Sequence, residues 1–316
     1  MLNTRLAAAA DGLDRWLLAG VLVAAAFGTL VAGPARHAAT NGGISIALAI
    51  LVFTTGFLLD PASVRLTRPA MGRAALTVLA STLALPALAW LASRAVTEPA
   101  LRRGVLAAGI APAEVASVAL AGLAGGLAAL TALVLAGSVL ITVLTAGPIL
   151  DLLGAPATVS AATLLSQLAL IVAAPLLAGM GLRALTGNRP RPEAAARVAG
   201  TLALLVLLWQ VGGQVNATAS YARVGLALLG YLAAAAVLGR VLAIRLPTAQ
   251  RVALSLPVGM RDFAIAAGIA TTAYGPRAAA PLAAYGVLVL LYGAGYAHFA
   301  TRTPHNRAAR SSRSAQ

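Results

Sequence analysis

Apolar stretches uninterrupted by charge recur ten times along the chain, at about 16–32, 43–59, 74–93, 104–125, 127–147, 159–182, 198–215, 224–244, 252–273 and 278–299. Each approaches the ~20 residues that a helix needs to cross the hydrocarbon layer. None alternates as a barrel strand does, and each exceeds the ~10 residues such a strand requires. Backbone amides in lipid must be satisfied within the protein, so the pattern predicts ten membrane-spanning α-helices with short loops. The first run follows Arg5 and Arg15 and closes on Ala32-Gly33-Pro34-Ala35, much as a signal peptide would. Nine further runs favour a retained first span.

Composition narrows the class. Of 316 residues, 60% are hydrophobic and 10% charged, against about 25% charged in soluble domains, which excludes a soluble globule. The net charge of +15 comes from 23 arginines set against eight acids. In a soluble protein that excess would suggest nucleic acid; here its distribution points to a lipid bilayer as partner and to no nucleic acid. With the N-terminus inside, sixteen arginines fall on the cytoplasmic side, while six (Arg36, Arg94, Arg102, Arg103, Arg223 and Arg277) fall outside. The positive-inside bias therefore predicts a multi-pass protein of the cell inner (plasma) membrane with both termini cytoplasmic. The chain has no cysteine, hence no disulfide and no thiolate chemistry.

The polar loop from Gly187 to Pro192 is read as the midpoint of a single membrane domain. Residues 1–186 then hold the N-terminal repeat plus the start of the second half (spans one to six), 187–300 hold the remaining spans seven to ten of the second repeat, and 301–316 form a cytoplasmic tail facing lipid. Five spans per half give the halves opposite orientations, the arrangement of inverted-repeat transporters. A local likeness agrees: Ala111 to Ala121 in span four resembles Leu256 to Ala266 in span nine, with a proline, a polar residue five positions on, then Ala-aliphatic-Ala. Those segments also hold the charges within spans, Glu114, Arg261 and Asp262. A charge at a helix centre costs about 2.5–3.5 kcal/mol on insertion scales, so all three should face protein or water. Pro112 and Pro257 each remove an amide donor and crowd the carbonyl four residues back, so both helices should break there. A broken helix offers amides at one end and carbonyls at the other, which can hold an anion and a cation.

Several of these residues resemble the bile acid:sodium symporter family. Gly109-Ile110-Ala111-Pro112 through Ser117, the Gly125-Gly126 turn and the stretch from Ser138 to Pro148 resemble its span-four-to-five signature. Val258-Gly259-Met260-Arg261-Asp262 resembles a second, Glu-x-Gly-x-Gln-Asn signature in span nine, and Ser81 before Pro86 stands where the family often has Gln. The resemblance implies an all-α polytopic membrane protein of ten helices in two inverted five-helix repeats, with a core, a moving panel, and broken helices four and nine crossing. It implies no catalytic cofactor, only a coupling ion. Ser117 and Thr131 keep oxygens where the family holds sodium. Val118, Leu135, Pro257, Arg261 and Ser81 replace its Asn, hydroxyl, Glu and Gln ligands.

On that basis the chain is expected to be a secondary transporter of a small or bile-acid-like organic anion, working by alternating access. Arg261 replaces a bound cation and pairs with Glu114 or Asp262, and coupling runs through a proton or residual sodium. Pro112, Glu114, Ser117, Thr131, Ser138, Pro257, Gly259, Arg261 and Asp262 form the expected site. Two alternatives stand beside it: a cation/proton antiporter of related inverted-repeat fold, and a solute-binding sensor without transport. A membrane enzyme lacks its chemistry. No span centre carries a histidine for a serine nucleophile, there is one mid-span aspartate, and neither a zinc HExxH nor a phosphate loop occurs.

Overall fold

The computed structural model describes residues 17–58, 67–153, 160–187, 190–215 and 219–301. The N-terminal arginines Arg5 and Arg15, and the tail beyond residue 301, lie outside the described residues. Helices occupy nearly all of what is described: α1 (Leu17–Leu30), α2 (Ala32–Thr40), α3 (Gly43–Leu58), α4 (Arg68–Ser93), α5 (Pro99–Ile110), α6 (Ala116–Leu123), α7 (Ala128–Leu152), α8 (Ala161–Leu168), α9 (Ala174–Thr186), α10 (Pro190–Gly212), α11 (Ala219–Ala243), α12 (Thr248–Gly259), α13 (Phe263–Tyr274) and α14 (Ala280–Thr301). A π-helical turn, Ala169–Ala173, joins α8 to α9, and a 3₁₀ turn, Pro276–Ala279, leads into α14.

Every one of the ten apolar runs coincides with a helix, with helical segments joined end to end, or with two helices separated by a break. Six helical stretches, one of them running from α8 through the π-helical turn to α9, are long and apolar enough to cross a membrane, and a seventh span results if the pair α2 and α3, bent by 77°, counts as one. The structure is thus that of an all-helical, multi-pass membrane protein. Alanine and leucine dominate the sequence and favour the helix throughout. Starts are marked locally: proline stands in the first turns of α4 and α5, and Ser160 caps α8 by accepting from the Thr163 amide at 3.1 Å.

Two groups of helices emerge from the packing. In the first, α3 packs on α9 and α10, and α10 packs on α1. The second gathers α4 with α5 and α7, α11 with α12, and the ends of α13 and α14. Lipid supplies no hydrophobic drive between apolar helices, so the close seams use small residues. A Cβ on Gly56 would lie 2.2 Å from the Leu176 carbonyl oxygen, and one on Gly179 would lie 2.1 Å from that of Phe53. Gly28 approaches the carbonyl of Trp209 and Gly212 that of Ala25 in the same manner.

Helix α2 falls between the first two apolar runs, where the hydrophobic pattern predicts a loop. Its first turns carry Gly33 and Pro34, both poor helix formers, yet Arg36 ties it to the fold by donating from Nε to the Gly213 carbonyl at 2.7 Å. Helix α10 likewise begins at Pro190, eight residues before its apolar run.

Replacing Gly179 with valine should force α3 and α9 apart, an overpacking cost of about 1–3 kcal/mol. A lowered melting temperature of the purified protein, with no change in Gly181→Ala, whose added Cβ meets nothing within 4 Å, is the expected measurement.

Candidate functional site

Two interruptions of the helical ladder meet inside the second group. The chain leaves α5 at Ile110 and re-enters a helix at Ala116; it leaves α12 at Gly259 and re-enters at Phe263. Between these ends the extended segments run antiparallel, with Ala113 opposite Arg261. The Glu114 amide donates to the Met260 carbonyl at 2.9 Å, and the Asp262 amide donates to the Pro112 carbonyl at 2.8 Å. Each break thus supplies partners that the other lacks.

Proline's missing amide is compensated as well. The carbonyl four residues before Pro112 belongs to Ala108, and it accepts from the Tyr231 hydroxyl at 3.4 Å. The corresponding carbonyl before Pro257 belongs to Ala253, and it accepts from the Thr131 hydroxyl at 3.0 Å. The Ser138 hydroxyl accepts from the Ala113 amide at 2.9 Å and donates to the Leu135 carbonyl, while Thr142 donates to the Ile110 carbonyl at 3.1 Å. Side-chain hydroxyls thus pair four backbone groups at or near the half-helix ends, those of Ala108, Ile110, Ala113 and Ala253.

One expectation needs correcting here. Pro112 lies in its break, but Pro257 sits in the last turn of α12, and that helix continues to Gly259. With Thr131 on the Ala253 carbonyl, the ring is tolerated without interrupting the helix. Matched by their ends, α5 and α12 align Ile110 with Gly259, and so Pro112 with Arg261 rather than with Pro257.

The charges divide between two sides of the crossing. Asp262 caps α13, its Oδ1 accepting from the Ile265 amide at 2.8 Å. The Glu114 carboxylate faces the amides of Ala116, Phe263 and Val115, with Asp262 nearby, and its Oε2 has no hydrogen-bond partner among the described residues. Both acids therefore sit at the positive ends of the second half-helices. Arg261, the residue between, points the other way, as alternate residues of an extended strand must. Its guanidinium lies by Tyr231 and Tyr285, whose rings stand 5.9 Å apart. The residue is 2% exposed, and its Nε has no partner among the described residues. No ion pair within 4.0 Å joins Arg261 to Glu114 or Asp262; those found link Arg183 and Arg197 to Glu193, and Arg277 to Glu98. The expected pairing is not formed, because the strand-like crossing turns the guanidinium and the carboxylates to opposite faces.

Glu114 and Asp262 open into a cavity of about 170 Å³ between the two helix groups. Its walls are Leu51, Thr54, Thr55 and Leu58 of α3, Arg197, Gly200, Thr201 and Leu204 of α10, Val115 to Ala116 and Phe263 to Ala264 at the crossing, and Leu290 of α14. A narrow extension of about 10 Å³ continues past Asp262 toward Leu135 and Leu176. Of the nine expected site residues, two line the cavity. Pro112, Thr131, Ser138 and Pro257 build the crossing, Gly259 admits the Tyr292 hydroxyl close to its Cα, Ser117 is buried with no partner for its hydroxyl among the described residues, and Arg261 faces the tyrosines. Sequence reasoning missed Thr54, Thr55, Arg197, Tyr231 and Tyr285. The Thr54-Thr55 pair within an apolar run, and tyrosines in the middle of spans eight and ten, were the available signals.

The chain belongs to the SBF-like CPA transporter family (DUF4137), whose model matches residues 15–294. That family is bile acid:sodium symporter-like, in keeping with the signatures around Pro112 and Arg261, and it makes this protein a membrane transporter. No curated protein matches the chain.

Thr131→Val and Tyr231→Phe each strand a buried carbonyl, and each should lower stability by about 1 kcal/mol or somewhat more. Asp262→Ala should cost about 1 kcal/mol through the lost cap, with Asp262→Asn close to wild type. Thermal unfolding in detergent, with folded yield as a control, checks both.

Proposed function

We propose that the protein is a secondary transporter that exchanges a small cation for protons at Glu114 and Asp262, by alternating access between the two helix groups. One observation carries the reading: among the described residues, the charges of the crossing itself that face the cavity are carboxylates. An anion seated at a helix N-terminus needs free amides. Here Asp262 already caps α13 and Glu114 already faces the amides that open α6 and α13. The cavity thus attracts a proton or a cation. The Thr54, Thr55 and Thr201 hydroxyls add neutral oxygens near it.

Ten spans in two inverted five-helix repeats, the second starting at α8, with both termini cytoplasmic, complete the proposed architecture. Exchange of equivalent helices supports the repeats: α1 packs on α10 as α3 packs on α9, α4 packs on α5 as α11 packs on α12, and the breaks meet at the centre. In this reading α1, α3, α9 and α10 form the panel that moves and the rest the core. Arg261 is a fixed cation that balances the carbonyl ends of α5 and α12, a role that Tyr231 on the Ala108 carbonyl supports.

Uptake of an organic anion is the second reading, favoured by the apolar walls at Leu51, Leu58, Leu204 and Phe263 and by Arg197 in the same cavity. Proteoliposomes with an imposed pH gradient separate the two. Addition of sodium, lithium or potassium should dissipate the gradient for the wild type, and Asp262→Asn or Glu114→Gln should reduce that exchange by at least tenfold, as loss of an essential proton carrier requires. Labelled carboxylate accumulating with no cation–proton exchange would select the second reading.

A further inference from the structure

A separate cavity of about 390 Å³ opens where α4 ends, α5 begins and α7 ends. Three arginines line it, Arg94, Arg102 and Arg103, against apolar walls from Trp90, Leu106 and Leu153. Three of the six arginines that the positive-inside reading assigns to the outer face are therefore concentrated around one hollow. Like charges so close together repel unless an anion is drawn in.

Among the described residues, no acid forms an ion pair within 4.0 Å with these three arginines. Glu98, in the loop between Arg94 and Arg102, is turned away and held by Arg277, at 2.7 Å from Nε. Asp151, on the last turn of α7, forms no ion pair within 4.0 Å with any of the three. The guanidiniums are instead held by neutral groups. Arg94 stands 4.8 Å over the Trp90 ring and Arg103 4.9 Å over that of Tyr274, while the Arg102 Nε donates to the Val96 carbonyl at 3.0 Å. These contacts fix the side chains without pairing them to a carboxylate within 4.0 Å. Arg102 and Arg103 are only partly exposed, which raises the value of a charge partner above that at an open surface.

We propose that this hollow is a binding site for a phosphate-type oxyanion, distinct from the cavity at Glu114 and Asp262. The planar forks of three guanidiniums suit the several oxygens of such a group. The same chemistry is offered by the headgroup of an anionic lipid or by free phosphate. Leu106, Leu153 and Trp90 beside the arginines provide the apolar contact that the root of an acyl chain would use.

Native mass spectrometry of the full chain, titrated in separate arms with phosphatidylglycerol, phosphatidylcholine and inorganic phosphate, tests this. A resolved adduct with phosphatidylglycerol but not phosphatidylcholine identifies a headgroup site, and an adduct with phosphate alone identifies a site for the free ion. In either case Arg102→Gln with Arg103→Gln should weaken the adduct by about tenfold or more. The Lys replacements at the same two positions, which keep the charge and guard against misfolding, should retain most of it, and Arg223→Gln, at an arginine that does not line the hollow, should leave it unchanged. The proposal is overturned if neither probe binds, or if the glutamine variant binds as the wild type does.

Discussion

A polypeptide that interrupts its helix in the middle of an apolar slab must find partners for the amides and carbonyls it has freed, with no water at hand. The structure meets that requirement by placing two interruptions face to face. Two hydrogen bonds, from Glu114 to Met260 and from Asp262 to Pro112, close the crossing. Hydroxyls from Thr131, Ser138, Thr142 and Tyr231 complete the backbone pairing around it. Remove one break and the other becomes an unsatisfied defect in a medium where each lost partner costs several kcal/mol. Spans four and nine are in this sense a single structural unit, although some 150 residues of chain separate them.

The distribution of charge follows from the same geometry. Half-helices present amides on one side of the crossing and carbonyls on the other, so acids and guanidinium sort to opposite faces rather than pairing with each other. Glu114 and Asp262 take the amide side and open to the cavity; Arg261 takes the far side with Tyr231 and Tyr285. An uncompensated carboxylate at the base of a cavity between two helix groups is a natural place to trade a proton for another cation, the chemistry on which the proposed exchange rests.

Much of this was legible in the chain. Ten apolar runs located the helical segments, and Glu114, Arg261 and Asp262 located the crossing, because a charge inside an apolar run is too costly to be incidental. The direction of each side chain was not legible. Whether residue 261 or 262 faces the cavity depends on which residue pairs with Ala113 across the break, and that register is set by the meeting of two distant segments. Pro257 misled for a related reason: the hydroxyl that lets α12 run past it comes from Thr131, more than a hundred residues earlier. The wall formed by Thr54, Thr55 and Arg197 was hidden too, since it exists only once α3 and α10 come to lie beside the crossing.

The glycine seams have a mechanical consequence. Where Gly56 and Gly179 bring the backbones of α3 and α9 together, and where Gly28 and Gly212 do so for α1 and α10, no side chain lies between that could change rotamer and absorb a shift. Such joints behave as welds, and a push on one rod is passed to its mate undiminished. The boundary lined by Leu51, Leu58, Leu204, Phe263 and Leu290 is made instead of pliable, rotamer-rich groups. Any sliding of this molecule is thereby steered to the boundary that carries its two acids.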